Sequence, residues 1–168
     1  HTPLSVEVLT EHLDRVYSAL IAEVHRYRGS VISFGGDSIT CWFDQDPGHR
    51  ATAAGLDMQR VIRQLESLVT PSGNRYPIGI KVSVTAGAAR RFLVGQPRIQ
   101  RIEVLAGAIL DRMSAAEKQL KSGDVFVGSE VMGRLGNQAE VMEWRKDQSY
   151  EYYAVIERFT EPVPPQRW

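Results

Sequence analysis

At 168 residues, 43% of them apolar and 24% charged, the chain has the length and composition of one ordinary domain with a full hydrophobic core. Its 20 basic and 20 acidic residues cancel to a formal net charge of zero, which argues against a surface built for nucleic acid or anionic membrane, since either wants a basic excess. No apolar run approaches the roughly 20 residues that span a bilayer, so no membrane insertion by this chain is expected.

The chain opens on His1 rather than Met, so sequence upstream is expected. Thr2-Pro3 suits a helix start, because Thr caps and Pro tolerates the first helical position. Val6, Leu9, Leu13, Val16, Leu20, Val24 and Tyr27 then recur at three- and four-residue spacing, which predicts a long amphipathic helix stopped at Gly29. Residues 30–34 and 38–43 are rich in β-branched and aromatic side chains and flank Gly35-Gly36-Asp37, a tight-turn sequence, so they predict a β-hairpin. Cys41, the one cysteine, sits inside the second strand and reads as a buried reduced thiol of a cytoplasmic protein.

A second helix is expected with Ala54, Met58, Val61, Ile62, Leu65 and Leu68 on one face, then a loop over 70–77. Residues 78–88 predict a largely buried strand with 101–105 as its partner, and residues 106–121 a helix. A short strand at 125–127, a short helix at 129–135 and a strand pair around 141–144 and 150–156 complete the order. Together these predict an α/β plait of the ferredoxin-like, palm type: a mostly antiparallel sheet with helices packed on it. The domain is expected over 1–158. The tail at 159–168, with Pro162, Pro164 and Pro165, reads as a linker or mobile end. No Gly-rich phosphate fingerprint of the Rossmann or Walker type is present.

The run from Leu20 to Ser38, a helix ending in basic residues and Gly, then strand, Gly-Asp turn and strand, resembles the class III nucleotidyl cyclases. Ala51, Ala53-Ala54, Leu56 and Met58-Gln59 are similar to the next family helix. Residues 80–87 resemble its buried strand, and Val104-Leu105-Ala106-Gly107 the strand end after it. Ser122-Gly123-Asp124-Val125-Phe126-Val127-Gly128-Ser129 resembles the late family strand, and the likeness runs in order over about residues 2–135. The resemblance implies the nucleotidyl cyclase fold and an adenylyl-type activity at a dimer interface. There the ribose 3′-oxygen of ATP attacks the α-phosphorus, giving cyclic AMP and pyrophosphate, with two Mg²⁺ or Mn²⁺ ions.

By that resemblance Asp37 is one metal aspartate; by composition alone it is also what any hairpin turn favours. The other family aspartate belongs to a strand upstream of His1. Thr2 and Gly36 are implied to face the triphosphate, Thr2 being equally a plain helix cap. Four positions depart from the family: Ser33 and Val104 stand where base-reading Lys and Asp are expected, Asp111 and Ala115 where the transition-state Asn and Arg are expected. The chain thus resembles the metal-carrying half of a pair, completed by a second cyclase domain as homodimer or as intramolecular or heterodimeric partner. A catalytically silent pseudo-cyclase that dimerises or regulates is the alternative. A diguanylate cyclase is another, because Phe34-Gly35-Gly36-Asp37-Ser38 is similar to its hairpin, though Ser38 stands where that family wants an acid. Arg90, Arg91, Arg98 and Arg101 cluster near the hairpin after Gly87, as a solvated strand tip or a phosphate contact, and the four histidines show no ligand spacing.

Overall fold

The computed structural model describes residues 6–65, 68–69, 73, 75–76, 78–96, 100–166 and 168. The first helix, α1, runs over Val6–Arg26, so the expected start at Thr2-Pro3 lies outside the described residues. Val16, Leu20, Val24 and Tyr27 form its buried stripe. The helix ends in a Schellman turn: Gly29 N donates to Val24 O (2.8 Å) and Arg28 N to His25 O (3.0 Å). Arg28, at φ 57, takes the left-handed position expected of Gly29. Gly29 is needed for a different reason, because a Cβ there would lie 2.6 Å from the Phe43 ring.

The expected hairpin follows as β1 (Ser30–Gly35) and β2 (Ser38–Trp42), paired antiparallel with a bulge between Val31 and Ser33. Cys41 is half-buried against the helices, and burial pushes its thiol up to about 11. Helix α2 (His49–Gln64) is capped from outside its formal boundary: the Asp46 carboxylate accepts the amides of Arg50 (3.1 Å) and Ala51 (2.9 Å). The Arg50 guanidinium turns back to the carbonyls of Tyr27, Arg28 and Asp44, tying α2 to the end of α1. The helix stops at Gln64 rather than continuing to Leu68, because Leu65 N closes a tight last turn on Val61 O and Ile62 O. Within the expected loop 70–77 lies β4 (Arg75–Tyr76), which pairs with β3 (Leu68–Val69) just before the loop as a minimal ladder.

The strand expected over 78–88 shortens to β5 (Val82–Val84), parallel to β8 (Val125–Gly128). Residues 101–105 do not partner it. They belong to β7 (Gln100–Ala106), which pairs antiparallel with β6 (Arg90–Gln96). Helix α3 (Ala108–Glu117) is shorter at both ends than expected, because β7 extends through Ala106 and residues 118–119 form a turn. Helix α4 (Ser129–Leu135) stands where the sequence reading put it. After a turn of 3₁₀ helix come β9 (Ala139–Lys146) and β10 (Tyr152–Phe159).

The main sheet has the order β5-β8-β10-β9, antiparallel except for β5 with β8; β1–β2, β3–β4 and β6–β7 are separate two-stranded ladders. Strand β8 is covered on both faces. Val127 packs with Ala154, Ile156, Val131 and Leu135 on one side, and Phe126 with Tyr153, Val155 and Ala116 on the other. A further core lies between α1 and α2, where Ala53, Ala54, Met58 and Ile62 meet the α1 stripe and both Ile39 of the hairpin and Val82 of the main sheet pack on it. Gly55 permits the close crossing of α2 over the sheet, since a Cβ would lie 2.8 Å from Val82. The expected domain edge at 158 falls inside β10, and beyond it Phe159 and Val163 both pack on the α1–α2 core.

Two polar contacts fasten these layers. Asp124, 8% exposed, accepts from Arg145 of β9 (2.5 Å) and from the amide of Lys121 (2.6 Å), while Arg145 also donates to Gln119 O (2.9 Å). Removing Asp124 leaves the Lys121 amide without its acceptor, while Arg145 keeps Glu143 (2.9 Å) and Gln119 O. Asp124→Ala is therefore expected to destabilise the fold by about 1–3 kcal/mol, read as a lowered urea midpoint.

The second contact joins α1 to α2. The Tyr27 hydroxyl donates to Asp57 (2.7 Å), and burial, then that hydrogen bond, pushes the phenol up to about 12. The unfolded chain, with an ordinary phenol, loses this proton first as pH rises. Stability from Tyr27 is thus complete below about pH 10 and lost toward 12. Urea midpoints across that window are expected to fall less steeply in Tyr27→Phe.

Candidate functional site around the Asp37 turn

The β1–β2 turn is shaped by Gly36. It has φ 61, whereas Asp37 has no positive φ; a left-handed first central residue alone is the type II′ pattern, which requires glycine there. Gly35 and Ser38 pair across the turn, and the Ser38 hydroxyl donates to Gly35 O (2.8 Å). The turn is braced from α1: the Tyr17 hydroxyl donates to Gly36 O at 3.4 Å, and its ring meets Phe34 edge-on at 5.8 Å. Asp37 is exposed at the apex and its carboxylate makes no hydrogen bond or ion pair with the described residues. Nothing lies within 4 Å of where a Gly36 Cβ would stand, so the apex is open to a ligand.

A hard divalent cation such as Mg²⁺ is commonly held by one or two carboxylates, the remaining sites being filled by phosphate and water. An exposed carboxylate with no competing partner fits one such position. It does not make a site alone: among the described residues no group of three or more His, Cys, Asp or Glu is arranged to hold a metal ion.

The other expected positions are dispersed around this turn. Ser33 is exposed on β1, and Val104 lies on β7 opposite Phe92. Strands β1 and β7 approach each other, which brings the two base-reading positions to neighbouring elements. Asp111 is exposed in the first turn of α3 and Ala115 is half-buried further along it. Thr2 lies outside the described residues, as does Arg98; Arg90 is exposed, and Arg91 and Arg101 belong to β6 and β7. A cleft of about 420 Å³ opens at the base of the β6–β7 hairpin, lined by Ala88, Arg90, Ala106 and Gly107, two residues along β7 from Val104.

Two residues escaped the sequence reading. Arg112 of α3 donates to Glu130 (2.6 Å) and Ala86 O (3.4 Å), so the helix does present a guanidinium, three residues before Ala115. Tyr17 lies beside the buried stripe of α1, and its contact with the turn crosses 19 residues of chain, which no local pattern encodes.

Known structures show the same fold. The guanylyl cyclase Cya2 is 20% identical, covering 98% of this chain and 88% of that one, with a TM-score of 0.84. The adenylyl cyclase CyaB from P. aeruginosa is 15% identical over 95% of this chain and 87% of that one, with a TM-score of 0.79. The guanylate cyclase domain of RhGC from Catenaria anguillulae, solved in complex with GTP, is 15% identical over 93% and 87%, with a TM-score of 0.75. No family model matches the chain, and no curated protein matches it. The fold is that of nucleotidyl cyclase catalytic domains, as the resemblance to the class III enzymes implied.

Because the left-handed φ of Gly36 is set by the turn and not by crowding, Gly36→Ala is expected to cost roughly 1 kcal/mol in chemical denaturation without disturbing the rest of the fold.

Proposed function

We propose that this chain is the metal-carrying half of a nucleotidyl cyclase, converting ATP to cyclic AMP and pyrophosphate at an interface with a second cyclase domain. The observation that carries this is the exposed Asp37 carboxylate, without a partner among the described residues, at an open hairpin apex on a cyclase fold. Similarity to both adenylyl and guanylyl cyclases supports the reaction class, and ATP is taken as substrate from the adenylyl-type resemblance.

In the reaction the 3′-oxygen bonds to the α-phosphorus as the bond to the pyrophosphate oxygen breaks. When bound, two Mg²⁺ or Mn²⁺ ions supply polarisation of the nucleophile and neutralisation of phosphate charge. Asp37 is proposed to hold them together with a second aspartate upstream of His1. Gly36 lets the phosphates approach the backbone, and Thr2 is taken from the family resemblance as a further phosphate contact. Ser33, Val104, Asp111 and Ala115 offer no base-reading or transition-state group of the expected kind, so the partner domain supplies these. The domain is taken as 1–158 with 159–168 as a tail whose Phe159 and Val163 lie back on the α1–α2 core, and a half-buried reduced thiol suits a cytoplasmic setting. No described helix is long and apolar enough to cross a membrane.

The four departures also suit a second reading, a silent dimerisation or regulatory module. The two separate in one assay with ATP and GTP, each with Mg²⁺ and Mn²⁺. The intact protein is expected to turn over ATP, the isolated chain little or none, and Asp37→Ala to lower intact-protein turnover by at least ~100-fold at an unchanged thermal midpoint. Full turnover in that variant removes Asp37 from the metal site, and no turnover by the intact protein favours the silent module.

A further inference from the structure

Resting on the assignment of Asp37 as a metal ligand, we propose that Tyr17 is a positioning residue that locks the Gly36–Asp37 peptide in the orientation presenting the carboxylate. The turn has two accessible forms. In the observed one only Gly36 is left-handed. Rotation of the peptide between Gly36 and Asp37 converts it to the type I′ form, in which Asp37 also takes positive φ. Glycine permits either form, and aspartate is among the residues that tolerate the left-handed region. The local sequence therefore leaves the choice open, and the flip, which turns over the Gly36 carbonyl and the Asp37 amide while the Asp37 Cβ stays near its place, would reverse the sign of the Asp37 φ and so change the rotamers open to its carboxylate.

Tyr17 decides between them. Its hydroxyl reaches the Gly36 carbonyl, the oxygen of the peptide that would have to rotate. At 3.4 Å the bond is long, but it does not act alone, since the Tyr17 ring is fixed by its edge-on contact with Phe34 on the same hairpin. Ser38 ties off Gly35 O and so steadies the outer pair without touching the central peptide. Among the described residues, Tyr17 is the side chain that holds that peptide's oxygen. Its own helix is anchored by Val16 and Leu20 in the core, so the hydroxyl is presented from a rigid base.

The test uses Tyr17→Phe and Asp37→Ala in the intact protein, with two readouts independent of turnover. In backbone amide NMR of the metal-free protein, Tyr17→Phe is expected to move or double the Asp37 amide signal while the thermal midpoint stays put. In a Mn²⁺ titration followed by EPR, the same variant is expected to bind about fivefold more weakly, the effect of one modest hydrogen bond. An unmoved Asp37 amide with wild-type Mn²⁺ affinity overturns the role of Tyr17 and leaves Asp37 standing, provided Asp37→Ala has lost the ion. A lowered thermal midpoint in Tyr17→Phe, with signals displaced throughout the hairpin and helix, also overturns it, because the hydroxyl is then structural. Equal Mn²⁺ binding in wild type and Asp37→Ala, or none in either, brings down both assignments.

Discussion

The packing of α1 on α2 is the constraint on which the rest of the structure hangs. Among the described residues the hairpin bearing Asp37 shares no ladder with the main sheet, and packing links the two. The link is the apolar seam of Val16, Leu20, Val24, Ala54, Met58 and Ile62, against which Ile39 leans from one side and Val82 from the other. Burial of that seam is non-directional and gives cohesion. Orientation comes from its polar margins, Tyr27 on Asp57 and Arg50 on the carbonyls that close α1. A helical layer of this kind lets two pieces of sheet behave as one platform.

The electrostatics divide along the same line. The inner pair, Asp124 with Arg145, is nearly dry and is completed by backbone groups of the loop it secures. The outer pairs, such as Arg158 with Glu140 and Arg112 with Glu130, are half in water and contribute little by themselves. Asp37 belongs to neither class. Among the described residues its carboxylate has no cationic partner, as the proposed shared site requires, since an internal partner would compete with the ligand.

Much of this was legible in the sequence where one face or one turn decided the outcome. The stripe of α1 and the unbroken apolar run of β8 each admit one packing, and Gly35-Gly36-Asp37 admits little but a hairpin. Legibility failed where the chain changes partner without changing character. Residues 78–88 and 101–105 are both β-prone, so the sequence suggests pairing them, whereas 101–105 pair with β6 in the hairpin after Gly87 and β5 turns to β8. Glycine misled at the end of α1, because Gly29 is kept for Phe43 while Arg28 bears the left-handed turn. At the site, Asp37 could be picked out by its turn and its resemblance, whereas Tyr17 and Arg112 act through contacts that exist only once helices meet strands.

The chain's one cysteine, Cys41, sits on β2, paired with Val31 and turned toward the helical seam. With its proton held up to about 11 by burial, little of it is thiolate at neutral pH, and reagents that need the anion react with it slowly. Reaction quickens when the strand lifts from the helices. The speed at which an alkylating probe consumes Cys41 is then a clock for the breathing of the one element that carries the acidic apex.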